Sequence, residues 1–123
     1  MSIFKDQYQF MKAAGNEFPE CNTEAYQILC DHLIDEEYDE YVEESYYYGP
    51  ENADTIKEAL DLIYVTAQYL NTVIGPEMAE KCWQALHENN MSKCTDGKLV
   101  KREDGKVLKP DGYVPLDLQA ILK

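Results

Sequence analysis

Residues 57–65 read KEALDLIYV, and the reading of Asp61 within them decides how the chain folds. Its neighbours Ala59, Leu60, Leu62, Ile63, Tyr64 and Val65 are residues that a buried helix uses. An ionised carboxylate among such residues costs several kcal/mol unless it is compensated. Asp61 therefore needs either a narrow wet stripe or a strong partner. Ile56, Leu60, Ile63, Ala67, Leu70 and Ile74 recur at helical spacing and predict the core stripe of one helix. Thr55 and Glu58 have capping-box spacing at its start, near Asn52, and Gly75 marks its end.

Outward from this helix the pattern is helical on both sides. Phe4, Tyr8 and Met11 predict a first helix ended by Gly15 and Pro19. Thr23 is placed to cap a long second helix that runs to about Tyr47 and closes at Gly49-Pro50. Pro76 opens a fourth helix carrying Met78, Cys82, Trp83 and Leu86. After Lys93 the pattern changes. In KLVKREDGKVLK, Asp104-Gly105 separates two short basic-apolar runs and predicts a two-residue β-hairpin, followed by an extended tail over 113–118. The expected fold is all-α: an antiparallel bundle of about four helices with a short C-terminal β-hairpin and tail, in one domain over 1–123.

Composition bounds the function. At 123 residues the core is modest, so a homodimer or homotetramer is expected. The start, MSIFKDQYQF, has no apolar signal core and no run reaches membrane-spanning length, so the expected setting is soluble and cytoplasmic. Cys21, Cys30, Cys82 and Cys94 are expected as reduced thiols, without a C-x-x-C pair to hold zinc. Of the net charge of −13, residues 1–92 carry −15 and residues 93–123 carry +2. An acidic body argues against nucleic-acid binding, which needs a basic face. A basic tail either neutralises the body or supplies counter-charge to an anionic ligand.

The second helix contains LCDHLIDEEYDEYVEE, and its inward stripe passes from Tyr26, Cys30 and Leu33 to Glu37, Glu40 and Glu44. Glu37 and Glu40 are three apart and share a face, as do Glu58 and Asp61 on the next helix. Facing pairs of carboxylates repel one another at neutral pH, and a hard divalent cation such as Mg²⁺ or Mn²⁺ turns that repulsion into affinity. A solvated acidic face explains the glutamate run taken alone but leaves Asp61 unexplained. Di-iron bundles need Glu-x-x-His motifs, which neither His32 nor His87 completes.

An E-x-x-E at Glu37–Glu40 followed by an E-x-x-D at Glu58–Asp61 resembles the metal signature of the MazG-like all-alpha NTP pyrophosphatases. This superfamily also includes dimeric dUTPases and phosphoribosyl-ATP pyrophosphohydrolase. KEALDLIYVTAQYL, KCWQALHENNMSK and GKLVKREDGKVLKPDGY are similar to the small single-domain members found in phages and bacteria, so the resemblance covers roughly residues 25–118. A phage-encoded chain would act in the host cytoplasm. The resemblance implies Glu37, Glu40, Glu58 and Asp61 as Mg²⁺ ligands, with Asn90 and Lys93 near the phosphates. Some relatives carry a further glutamate directly after the E-x-x-E, where this chain has Tyr41. The third ligand or general base then falls to Glu36 or is absent. The implied reaction is Mg²⁺-dependent hydrolysis of a nucleoside triphosphate to the monophosphate and pyrophosphate, with Mn²⁺ as a substitute ion. Small phage-type relatives include enzymes that act on dGTP or dATP, so the resemblance points toward a deoxypurine triphosphate as substrate. Charge on the leaving group calls for cations, which Lys93 with Lys106 or Lys109 would supply. The contrasting expectation is a non-catalytic acidic interaction module of the DNA-mimic type, or a nucleotide-binding relative with little turnover.

Overall fold

The computed structural model describes residues 2–123 and contains five helices in the order α1 (Ile3–Ala13), α2 (Glu24–Tyr48), α3 (Ala53–Ile74), α4 (Pro76–Met91) and α5 (Leu118–Leu122). The chain is all-α: the described residues form only isolated β-bridges, Thr95 with Lys98 and Lys101 with Val107. It divides into two compact units, Met1–Ala79 and Glu80–Lys123, with the boundary inside α4. Among the described residues no helix is long and apolar enough to cross a membrane.

Helices α1, α2 and α3 each start where a side chain satisfies free backbone donors. Ser2 accepts from the Phe4 and Lys5 amides, and Thr23 accepts from the Tyr26 amide. At α3 the cap is Asn52, which accepts from the Asp54 amide at 2.9 Å. Thr55 does not form the expected capping box: its hydroxyl donates to the Gly49 carbonyl at 2.9 Å and is buried. Gly75 ends α3 at φ 80, and a Cβ there would meet the Phe18 ring at 2.8 Å, so glycine is required on two counts.

Helix α3 is the central element, packed along α2 and, over less of its length, against α1. Phe4, Ala67 and Ala79 form the apolar core, joined by Leu70 and Ile74. Beside them lies a buried polar layer. Asn71 donates to the Phe4 carbonyl and to Gln7 Oε1, both at 2.9 Å. Gln7 donates to Gln68, and Gln68 donates to the Tyr26 hydroxyl on α2. The layer thus ties all three helices together.

The expected core stripe of α3 is only half correct. Ala67 is buried with Leu70 and Ile74 against it, but Ile56, Leu60 and Ile63 are 51%, 60% and 51% exposed. The cause is length. Helix α1 has 11 residues, or about 16 Å, against about 33 Å for the 22 residues of α3. Phe10, near the end of α1, reaches only as far as Tyr64, in an edge-to-face contact at 5.8 Å. The N-terminal half of α3 therefore lacks a cover on that side, and Thr55 is the one described residue buried there.

In the second unit, the expected two-residue turn at Asp104-Gly105 is a longer one. Gly105 donates to the Arg102 carbonyl at 2.9 Å, Gly105 has φ 89, and Asp104 keeps a negative φ, which excludes a primed two-residue turn. Asp104 accepts from Arg102 and from the Lys106 amide, and pairing beyond it stops at one bridge instead of a two-stranded hairpin. The two-residue turn lies eight residues earlier. Thr95 and Lys98 exchange both backbone hydrogen bonds around Asp96 (φ 52) and Gly97 (φ 77). The tail is extended until Asp117, which caps α5 by accepting from the Ala120 amide, so Leu118 opens a helical turn.

Candidate metal centre

Helices α2 and α3 are joined by residues 49–52 and lie side by side, which brings positions 37 and 40 opposite position 58. One carboxylate oxygen from each of Glu37, Glu40 and Glu58 lies within 4.8 Å of the other two. Glu37 and Glu58 are partly buried, while Glu40 is at the surface. The Oε2 atoms of Glu37, Glu44 and Glu58 are buried without a hydrogen-bond partner. Buried acceptors left without donors are costly, so this cluster is under-satisfied as it stands.

The titration of the group reflects the crowding. Glu40 is pushed up to about 7, first by its carboxyl–carboxyl contact with Glu58 and then by the charge of Glu37. Glu37 is also raised, first by burial and then by the charge of Asp61. Near neutral pH the cluster therefore holds a proton in place of part of its negative charge. A cation would serve the same electrostatic need without neutralising a ligand.

Asp61 stands apart from the three converging glutamates. Its Oδ2 accepts from Lys57 Nζ at 2.6 Å, one helical turn earlier, and its side chain is 34% exposed. The same ammonium lies 3.7 Å from Glu58 Oε1, and its pKa is raised chiefly by the hydrogen bond to Asp61. Asp61 lies on a wet edge of α3, and it has a partner in Lys57. Its charge still bears on the cluster, through Glu37.

The donor set fits a hard cation. The three carboxylate oxygens lie within 4.8 Å of one another, close enough for one small cation to draw them in, and two or three such ligands leave room for water and phosphate. Glu37, Glu40 and Glu58 would hold the ion. Asp61, the fourth expected ligand, is outside this converging group, with its Oδ2 held by Lys57.

The remaining candidates lie elsewhere. Glu36 is exposed on α2 and outside the converging group. Asn90, Lys93, Lys106 and Lys109 all belong to the second unit. There Lys93 Nζ donates to Asn90 Oδ1 at 3.3 Å, and Lys106 is exposed beside the Asp104 turn. Sequence reasoning passed over Lys57. The i,i+4 spacing of Lys57 and Asp61 was a legible signal for it. No protein-family model matches this chain, and no curated protein matches it.

Proposed function

We propose that this chain is a Mg²⁺-dependent nucleoside triphosphate pyrophosphohydrolase of the MazG-like kind, cleaving between the α and β phosphates to release pyrophosphate. The observation that carries the reading is the convergence of Glu37, Glu40 and Glu58 from two helices, with buried oxygens that lack donors. When bound, the metal supplies positive charge to the triphosphate and lowers the pKa of a water. The protein's own part is to hold three carboxylates in place on two packed helices, so that little reorganisation is needed. Glu58 and Glu37 are the partly buried members and set the geometry. Glu40 gives up its proton as the cation binds. Glu36, exposed on α2, is the candidate base, and Asn90, Lys93, Lys106 and Lys109 are the candidates for phosphate recognition. Deoxypurine triphosphates are the preferred substrate class, and Mn²⁺ substitutes for Mg²⁺. Self-association into a homodimer or homotetramer through the exposed stripe of α3 belongs to the same proposal.

A second reading is a non-catalytic acidic interaction module, favoured by the exposed Asp35, Glu36, Asp39 and Glu43 on α2. A pyrophosphate-release assay separates the two. The eight common NTPs and dNTPs are supplied with Mg²⁺ or Mn²⁺, with Glu58→Gln and Asp61→Asn as controls. Metal-dependent release from a subset, abolished by Glu58→Gln and lowered by Asp61→Asn, is the expected result. Absence of release from every nucleotide overturns the enzymatic reading.

A further inference from the structure

Helices α2 and α3 carry nine and three carboxylate side chains, against one lysine and no arginine. That single cation, Lys57, stands at the E-x-x-D pair. Its Nζ lies 2.6 Å from Asp61 Oδ2 and 3.7 Å from Glu58 Oε1, so one ammonium bridges both acids. Helical spacing alone does not explain the contact, because a lysine four residues before an acid is the weaker order on an isolated helix. The local field does explain it. Glu58 belongs also to the group in which Glu37 and Glu40 converge, so a strong negative potential faces the ammonium. Glu58 is therefore shared between two neighbouring cation positions, one among the three glutamates and one between itself and Asp61. Centres with two metal ions place them about 3.5–4 Å apart, a separation that a shared carboxylate spans.

We propose, resting on the metal-dependent reading above, that the Lys57 ammonium occupies the place of a second cation, so that the chain without nucleotide binds one divalent ion, at Glu37, Glu40 and Glu58. A second divalent ion would need Asp61 and a share of Glu58. Lys57 already holds one Asp61 oxygen and faces Glu58 Oε1, and its charge repels a divalent ion brought to the same two acids. Mg²⁺ gives up its water reluctantly, and the one remaining Asp61 oxygen is a poor replacement. The charges agree with this count. One divalent ion and one ammonium match four ionised acids to within a single charge, whereas a second divalent ion would reverse the sign. The Lys57 side chain is 64% exposed, so the electrostatic field of the acids, and not burial, holds it in place, and the fold tolerates its replacement.

The test is a titration of the full chain with Mn²⁺, followed by electron paramagnetic resonance, without nucleotide and at physiological salt. Glu58→Gln removes the shared carboxylate and gives the background of loose binding to the acidic surface. Above that background the wild type is expected to bind one Mn²⁺ per chain, with the spectrum of an isolated ion. Lys57→Met should bind two, with the spectral broadening of neighbouring coupled ions. Lys57→Arg keeps the charge and should return the count to one. Lys57→Met combined with Asp61→Asn should do the same, because the second ion loses the acid it needs. Circular dichroism checks that every variant folds. Two ions in the wild type, or one in Lys57→Met, overturn this proposal and leave the metal centre standing. A wild type that binds no Mn²⁺ above the background overturns the metal centre itself, and this proposal with it.

Discussion

Glu40 is where the chemistry of the site can be read most directly. Its carboxyl is raised from an ordinary value of 4.5 to about 7 by Glu58 and Glu37. The folded protein therefore binds this proton more tightly than the unfolded chain, and protonation favours the fold. Stability should fall as pH rises from 4.5 through 7, and above that the repulsion is present in full. Asp104, held low by Arg102, responds only on the acid side of this window. In EDTA the melting temperature should be lower at pH 8 than at pH 5.5, and saturating Mg²⁺ should remove most of the difference by linkage. A melting temperature in EDTA that rises between these pH values would show that the carboxylates do not converge in solution. Lys57 sets a second expectation at this scale. It neutralises Asp61 at 2.6 Å and so competes with any cation for that carboxylate. Lys57→Met should tighten Mg²⁺ binding by roughly two- to fivefold, the scale of a surface ion pair, and weaker binding would assign Lys57 a supporting role.

At the scale of elements, α3 is registered against its neighbours by polar contacts as much as by apolar ones. Asn71 and Gln7 are fully buried and bonded to each other across α1 and α3, with Gln68 continuing to Tyr26 on α2. Such contacts specify one alignment, because a slip of one residue leaves buried donors unpaired. That alignment is also what places Glu58 opposite Glu37 and Glu40. Asn71→Ala removes both of its donated bonds and leaves Gln7 Oε1 and the Phe4 carbonyl without them. It should cost about 2–4 kcal/mol in urea unfolding. It should also weaken Mg²⁺ binding although Asn71 is remote in sequence from every ligand. A loss of stability with unchanged Mg²⁺ affinity would mean that the site does not depend on this register.

At the scale of the whole molecule, the chain leaves a large amount of apolar surface outside. Ile56, Leu60 and Ile63 continue into Ile3, Tyr64 and Phe10, and Ile3, Leu60, Ile63 and Tyr64 line one shallow groove. A chain with so many exposed large side chains on one face is under pressure to cover them, and a second copy brings a matching surface. The wild type should sediment as a dimer or larger assembly, and Leu60→Lys should shift it toward monomer. A wild type that is monomeric at high concentration would rule out the stripe as an interface between copies. Charge acts at this scale too. A net −13 concentrated before residue 93 repels polyanions in general, so an anionic ligand needs local cations, which occur after that point.

The sequence by itself determined what depends on near neighbours in the chain. Thr23, Asn52, Gly49, Gly75 and Pro76 mark helix ends because caps, left-handed glycines and first-turn prolines satisfy local backbone needs. The three-residue spacing of Glu37 with Glu40 made their shared face legible for the same reason. Tertiary structure alone decided the rest. Which half of the α3 stripe is buried depended on how far α1 reaches, and no periodicity within α3 encodes the length of another helix. The choice of Asp96-Gly97 over Asp104-Gly105 for the two-residue turn was, by contrast, local: Asp104 bonds to Arg102 and Lys106, two residues away on either side, within a longer turn, a detail that the Asp-Gly dipeptide alone does not carry. Convergence of Glu58 with Glu37 and Glu40, and the separation of Asp61 from them, followed from the packing of α2 on α3. Spacing along one helix gives direction, but the distance between two helices is set by everything packed between and around them.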